Sequence, residues 1–126
     1  MKTIINTPNA PAPIGPYNQA VLTGNTLYTS GQIAIHPKTG ELVLDSISVE
    51  AELVMQNLKA VLEAAEMTFE NVIKSSIFIS DMANFSQINE VYAKYFDADT
   101  APARETVEVA NLPKYVNVEI SIIAVK

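Results

Sequence analysis

The sequence predicts an α+β fold, a mixed β-sheet with two helices packed on one of its faces. Three observations carry that expectation. Two segments repeat their apolar residues at helical spacing, while several shorter ones alternate or run apolar as strands do. Helices so few cover one side of a sheet only. The later strands nevertheless carry apolar residues on both sides, so the bare side is expected to be buried against another subunit.

Taken in order, Pro8 to Pro16 reads as an extended, proline-rich loop. Val21-Leu22 and Leu27-Tyr28-Thr29 flank Thr23-Gly24-Asn25-Thr26, the pattern of a hairpin around a Gly-Asn turn. Ile33 and Ile35 are expected to continue a strand that stops at Pro37-Lys38-Thr39-Gly40, where proline and glycine are placed as a turn requires. From Ser46 to Glu66 the residues Ile47, Ala51, Val54, Leu58, Val61, Leu62 and Ala65 form one face of an amphipathic helix. Glu50, Glu52, Lys59, Glu63 and Glu66 supply most of its solvated face. Val72 to Ser80 reads as a short buried strand, with Ile73, Ile77 and Ile79 on one side and Val72 and Phe78 on the other. Asn84, with Gln87 three residues on, looks like the cap of a second helix whose stripe is Phe85, Ile88, Val91, Tyr92 and Tyr95. Two strands close the chain, Arg104 to Val109 and Val116 to Val125. In the last, Val116, Val118, Ile120, Ile122 and Ala124 share one face. Asn117, Glu119 and Ser121 share the other, which turns apolar again at Ile123 and Val125.

A length of 126 residues suits one domain, 1–126, and 48% hydrophobic with 17% charged residues is the composition of a folded globular protein. The net charge of −6 and eight basic residues scattered singly argue against a nucleic-acid partner, which needs a cationic surface to neutralise phosphates. The same scatter disfavours an anionic membrane surface. With no cysteine, neither a disulfide framework nor a thiolate zinc site can form. Met1-Lys2-Thr3-Ile4-Ile5-Asn6 lacks the apolar stretch of a signal peptide, so a cytoplasmic location is expected.

The residue inventory prunes the chemistry. A zinc-dependent deaminase needs His and Cys ligands, and this chain has one histidine. That residue, His36, stands beside Pro37 at the start of a turn, a position for a solvated loop residue rather than a triad base. No phosphate-binding or dinucleotide-binding glycine motif is present. What remains is carboxylates, hydroxyls, backbone groups and the only arginine, Arg104. In a strand, Arg104, Thr106 and Glu108 share one face and Glu105, Val107 and Val109 the other. A guanidinium can hold a small carboxylate through two parallel hydrogen bonds, which lysine cannot imitate; an ion pair with Glu108 or Glu119 is the alternative. Glu119, amid a hydrophobic strand, is either the polar side of that strand or a group that orients a water and passes a proton. Tyr17 either closes a loop over the core or offers its hydroxyl to a ligand. Ser30-Gly31 marks either a strand bulge or a ligand-facing hydroxyl and backbone.

The same residues carry a resemblance to a known family. Ile14-Gly15-Pro16-Tyr17, Thr29-Ser30-Gly31-Gln32, Pro37-Lys38-Thr39-Gly40 and Asn57-Leu58-Lys59-Ala60-Val61-Leu62-Glu63-Ala64-Ala65 look like successive blocks of the Rid (YjgF) family. Pro102-Ala103-Arg104, Val107-Glu108-Val109-Ala110, Leu112-Pro113-Lys114 and Val118-Glu119-Ile120 resemble its most specific block at the expected spacing. The resemblance spans nearly the whole chain. It implies a chorismate-mutase-like fold (bacillus-type) and a homotrimer with clefts between subunits. It also implies a hydrolase, a 2-iminobutanoate/2-iminopropanoate deaminase that needs no cofactor and no metal and acts on small 2-imino acids to give 2-oxo acids. Arg104, Glu119 and Tyr17 would then be catalytic, and Ser30, Gly31, Thr106, Phe85 and Asn89 would line the substrate. A non-catalytic small-acid-binding module and an endoribonuclease or translation inhibitor are the rival expectations. Three positions depart from the family pattern: Glu105, where small residues are common, Thr106, which is cysteine in some members, and the short Asp97-Ala98-Asp99-Thr100-Ala101 segment.

Overall fold

The computed structural model describes all 126 residues. Strands β1 (Lys2–Ile5), β2 (Ala20–Thr23) and β3 (Thr26–Thr29) precede helix α1 (Ile47–Ala64). Strand β4 (Val72–Ile79), helix α2 (Phe85–Ala93), and strands β5 (Ala103–Glu108) and β6 (Val118–Val125) follow. The strands form one mixed sheet in the order β1-β2-β3-β6-β4-β5. Only β4 and β5 run parallel, with α2 in the crossover between them.

Turn chemistry and periodicity explain most of these elements. The β2–β3 hairpin turns on Gly24 and Asn25, and Gly24 takes the positive φ of 57° that a tight hairpin demands. Ser46 caps α1 by accepting from the Val49 amide at 3.1 Å. Ala51, Val54, Met55, Leu58, Val61 and Leu62 of α1 are buried against the sheet, whose β6 contributes Val118, Ile120, Ile122 and Ala124 to the same core. Val116 is buried as well, although it precedes β6.

The structure corrects several expectations. Glu50, placed on the solvated side of α1, is fully buried. Its carboxylate accepts from the Asn117 amide at 2.7 Å, the Asn117 side-chain Nδ2 at 2.7 Å and the Val118 amide at 3.2 Å. It therefore ties α1 to the first turn of chain entering β6, because a buried carboxylate is tolerated only when donors surround it. Glu50→Ala leaves those donors unmet and is expected to destabilise the fold by about 3 kcal/mol, read as a lower midpoint in urea unfolding. Ile33 and Ile35 do not extend a strand; that segment makes only isolated bridges, Gln32 to Ile120 and Ile35 to Leu42. A bulge between Val72 and Lys74 shifts the phase of β4, so Val72 is buried with Ile77 and Ile79 while Ile73 is exposed. Asn84 makes no capping bond; Asp81 instead accepts from the Ala83 amide at 2.9 Å and caps the short 3-10 turn that leads into α2. The edge strand β1 was not anticipated.

The side of the sheet away from the helices stays open. Tyr28 and Ile123 are paired there, as are Phe78 and Glu119, and Phe78 and Val107. Tyr28 is 50% and Val107 41% exposed, an apolar surface that nothing in the single chain covers.

Candidate active site

The site residues assemble into two groups on opposite sides of the sheet. The first surrounds a cavity of about 430 Å³ lined by Tyr17, Ser30, Gly31, Pro113, Lys114 and Glu119, among others. An interruption in pairing builds it. Strand β3 pairs with β6 as far as Tyr28–Ile123. The Thr29 hydroxyl then replaces a backbone partner, accepting from the Ile122 amide at 2.9 Å and donating to its carbonyl at 3.3 Å. Pairing resumes at Gln32, whose backbone exchanges bonds of 2.8 and 3.1 Å with Ile120. Ser30 and Gly31 are left out of the ladder beside Glu119. The break in pairing fits the bulge reading of this pair, and both residues line the cavity.

Gly31 is there because nothing larger fits. A Cβ at this position would lie 2.7 Å from Glu119 Cδ and 2.9 Å from its Cγ. Gly31→Ala must push the Glu119 side chain aside, which a flexible carboxylate can accept at little cost in stability. If Glu119 acts on the substrate, turnover falls roughly 10- to 100-fold with little change in Tm, since small misplacements of a reacting group are costly.

Glu119 is half-buried on the open side of β6, and burial pushes its carboxyl above the ordinary carboxylate range with no hydrogen bond to offset the cost. Lys114 lines the same cavity and makes no ion pair. The Tyr17 hydroxyl accepts from the Ile14 amide at 3.3 Å, so its own proton is free, and the residue is half exposed at the cavity wall. Ser30 lines the cavity with its own proton committed. Its hydroxyl donates to the Asn18 carbonyl at 2.6 Å and its amide to the Gln19 carbonyl at 2.8 Å, so it anchors the preceding loop.

The second group surrounds Arg104. Register places Arg104 beside Ser75 and Thr106 beside Ile77, on the helix-covered side of the sheet. The guanidinium carbon lies 5.1 Å from the Tyr92 ring centroid and 5.6 Å from that of Phe85, both on α2. Nη1 donates to Asn89 Oδ1 at 2.7 Å. The ion pair expected as the alternative does not form. Glu108 accepts from the Met82 amide at 2.7 Å instead, and the one ion pair in the chain joins Lys74 to Glu105 at 2.7 Å on the open side. Ser76 also donates to Glu105, and these two partners hold its carboxyl below the usual range, Lys74 more than Ser76. Thr106 Oγ1 is buried without a partner next to the guanidinium strand. Arg104, Phe85, Asn89 and Thr106 are thus brought together, but none of them lines the cavity that holds Glu119.

Sequence reasoning missed two residues that shape these groups. Gln19 is 2% exposed; its Nε2 donates to the carbonyls of Thr7, Ala10 and Pro11, and its Oε1 accepts from the Thr7 amide, which folds the proline-rich loop over the first cavity. A lone glutamine after a proline-rich loop carries no periodic signal. Tyr92, expected only as core, also donates to Ser75 Oγ at 2.9 Å and forms the main face under Arg104.

A mixed six-stranded sheet with two helices on one face is a chorismate-mutase-like α+β arrangement, shared with the solved structure of the Escherichia coli yjgF gene product at a TM-score of 0.91 and 44% identity over 98% of each chain. The chain belongs to the Rid (YjgF) family, whose model, described as endoribonuclease L-PSP, matches residues 7–126. A RutC family protein of Pyrococcus horikoshii is 51% identical over all of this chain and 99% of its own. The E. coli protein TdcF, named as a candidate reactive intermediate deaminase, is 46% identical over all of this chain and 98% of its own. A crystal structure of TdcF with bound serine superposes with a TM-score of 0.92 at 45% identity, covering 98% of each chain. No helix of this protein is long and apolar enough to cross a membrane.

Proposed function

We propose that this protein hydrolyses small 2-imino acids, 2-iminopropanoate and 2-iminobutanoate, to 2-oxo acids and ammonia in the cytoplasm, without a cofactor. One observation carries the reading: a guanidinium without a carboxylate partner and a half-buried carboxylate of raised pKa, each beside free hydroxyl or backbone groups. The substrate matches both. Its carboxylate suits the fork of Arg104, where the orphaned Thr106 hydroxyl and Asn89 stand ready to add hydrogen bonds. Its C=N carbon needs only a placed water and a proton carrier.

In this mechanism Glu119, ionised, takes a proton as water adds to the imine carbon. With the imine protonated at nitrogen, Glu119 passes that proton to the nitrogen of the resulting carbinolamine, then takes the hydroxyl proton as the C–N bond breaks, so that ammonia and the ketone leave and the proton is carried off as ammonium. Tyr17 orients the nitrogen or the water, and Gly31 leaves the room in which the Glu119 side chain lies. A carboxyl raised by burial is better matched to both steps than an ordinary one. Because Arg104 and Glu119 project from opposite sides of one sheet, the substrate bridges two copies of the chain. The uncovered face with Tyr28 and Val107 is the surface that makes the contact, within a homotrimer.

The test couples this protein to a pyridoxal-phosphate dehydratase that releases 2-aminoacrylate from serine. Faster ammonia and pyruvate release supports the proposal; saturable binding without acceleration supports a non-catalytic module. The family description also raises ribonuclease activity. A net charge of −6 with a single arginine weighs against it, and RNA cleavage by a nuclease-free preparation, lost on changing Arg104, would restore it.

A further inference from the structure

A second cavity, of about 660 Å³, opens between the outer surface of α1 and the turn at Pro37, and it shares no lining residue with the first cavity or with the group around Arg104. Three features set it apart. First, it gathers cations in an acidic protein. Lys38 and Lys59 both line it, and neither makes an ion pair. Second, His36 lines it in a defined state: Nδ1 accepts from the Lys38 amide at 3.2 Å and the Thr39 amide at 3.4 Å, so the ring proton is on Nε2 and that nitrogen is a free donor.

Third, a largely buried amide lines it with an acceptor that no group of the chain engages. Asn57 is 1% exposed and lines the cavity. Its Nδ2 donates to the carbonyls of Ile33 at 3.2 Å and Ile35 at 3.1 Å, which fixes the orientation of the amide, and no donor of the chain reaches its Oδ1. The carboxylate of Glu63 lies on the same rim.

We propose that this cavity binds a free α-amino acid. Its carboxylate is received by Lys38, Lys59 and His36 Nε2, and its ammonium by Asn57 Oδ1 and Glu63. The complement requires both charges of the ligand: a simple anion leaves Asn57 and Glu63 unmet, and a simple amine leaves the lysines unmet. Asn57 also gives the site a reporter, because the carbonyls it holds belong to Ile33 and Ile35, which line the first cavity. The inference is independent of the activity proposed above.

The experiment titrates L-alanine into the full-length protein at low salt, following the Asn57 side-chain amide and the Ile33 and Ile35 backbone amides by NMR. Acetate and methylamine serve as half-ligands. Expected is a saturable shift of those signals, weakened at least ten-fold in the double variant Lys38→Ala, Lys59→Ala. Both changes are at exposed side chains, so the variant keeps its fold and the basal activity of the first cavity. Each half-ligand should bind at least ten-fold more weakly than alanine. Shifts confined to Tyr17, Gly31 and Glu119, equal affinity in the double variant, or acetate binding as well as alanine would each overturn the proposal.

Discussion

Arg104→Lys is expected to lower kcat/KM for 2-iminopropanoate by roughly 100-fold or more, the loss seen when a preorganised charge donor is removed from a reacting anion. Lysine keeps the positive charge and reaches the same rings of Phe85 and Tyr92, but it cannot present two parallel donors while also bonding Asn89. Stability should change little. The side chain is exposed and contributes one hydrogen bond and a ring contact, together about 1 kcal/mol, or roughly 3–5 °C in Tm for a domain of this size. Steady-state kinetics with the coupled dehydratase, alongside thermal melts, separates the two effects. Turnover within a few-fold of the parent would remove Arg104 from the chemistry.

Glu119→Gln is expected to reduce kcat by about 10²- to 10³-fold, the contribution of a positioned proton carrier, with KM nearly unchanged because the amide keeps the shape. Its effect on stability runs the other way. Burial raises the folded-state carboxyl above its unfolded value, so protonated Glu119 favours the fold at acid pH, and that contribution is lost as pH rises through the folded value. At neutral pH the ionised group opposes folding, so the glutamine variant should melt higher than the parent. The difference should close at acid pH, where the carboxyl is protonated in both states. Melting curves across pH 3 to 8 (on the order of the carboxylate range) read this directly. A glutamine variant that melts lower at neutral pH would mean that Glu119 is held by partners rather than desolvated.

The fold was legible wherever a local rule decides the structure. The Gly24-Asn25 turn follows from backbone sterics, and α1 follows from a stripe of apolar residues that repeats along its length. Glu50 was misread because its partners, Asn117 and Val118, lie 67 and 68 residues away, and helical spacing says nothing about donors arriving from elsewhere. The β4 bulge at Ile73 defeated the alternation rule, since one extra residue reverses the facing of all those before it. β1, four mostly exposed residues on the sheet edge, offers no buried face to produce a pattern.

The site was legible as residues but not as an arrangement. Alternation states that Arg104, Thr106 and Glu108 share a face, and separately that Glu119 opposes Ile120. It does not state whether the face of one strand coincides with the face of another, which depends on register through β4. Register puts Arg104 level with Ser75 and Glu119 level with Phe78, on opposite sides. The family resemblance named the residues, whereas their separation into two half-sites follows only from the sheet register. Ser30, named as a ligand contact, has its proton committed to Asn18.

The central claim is that Arg104 of one copy and Glu119 of another serve one substrate. Arg104→Lys and Glu119→Gln proteins, each inactive alone, should regain activity when unfolded together in equal amounts and refolded. Random mixing leaves about a quarter of the inter-copy sites with both native residues, so the mixture should show about a quarter of the parent rate per site. A mixture that contains mixed assemblies and yet stays as inactive as its components would contradict the account.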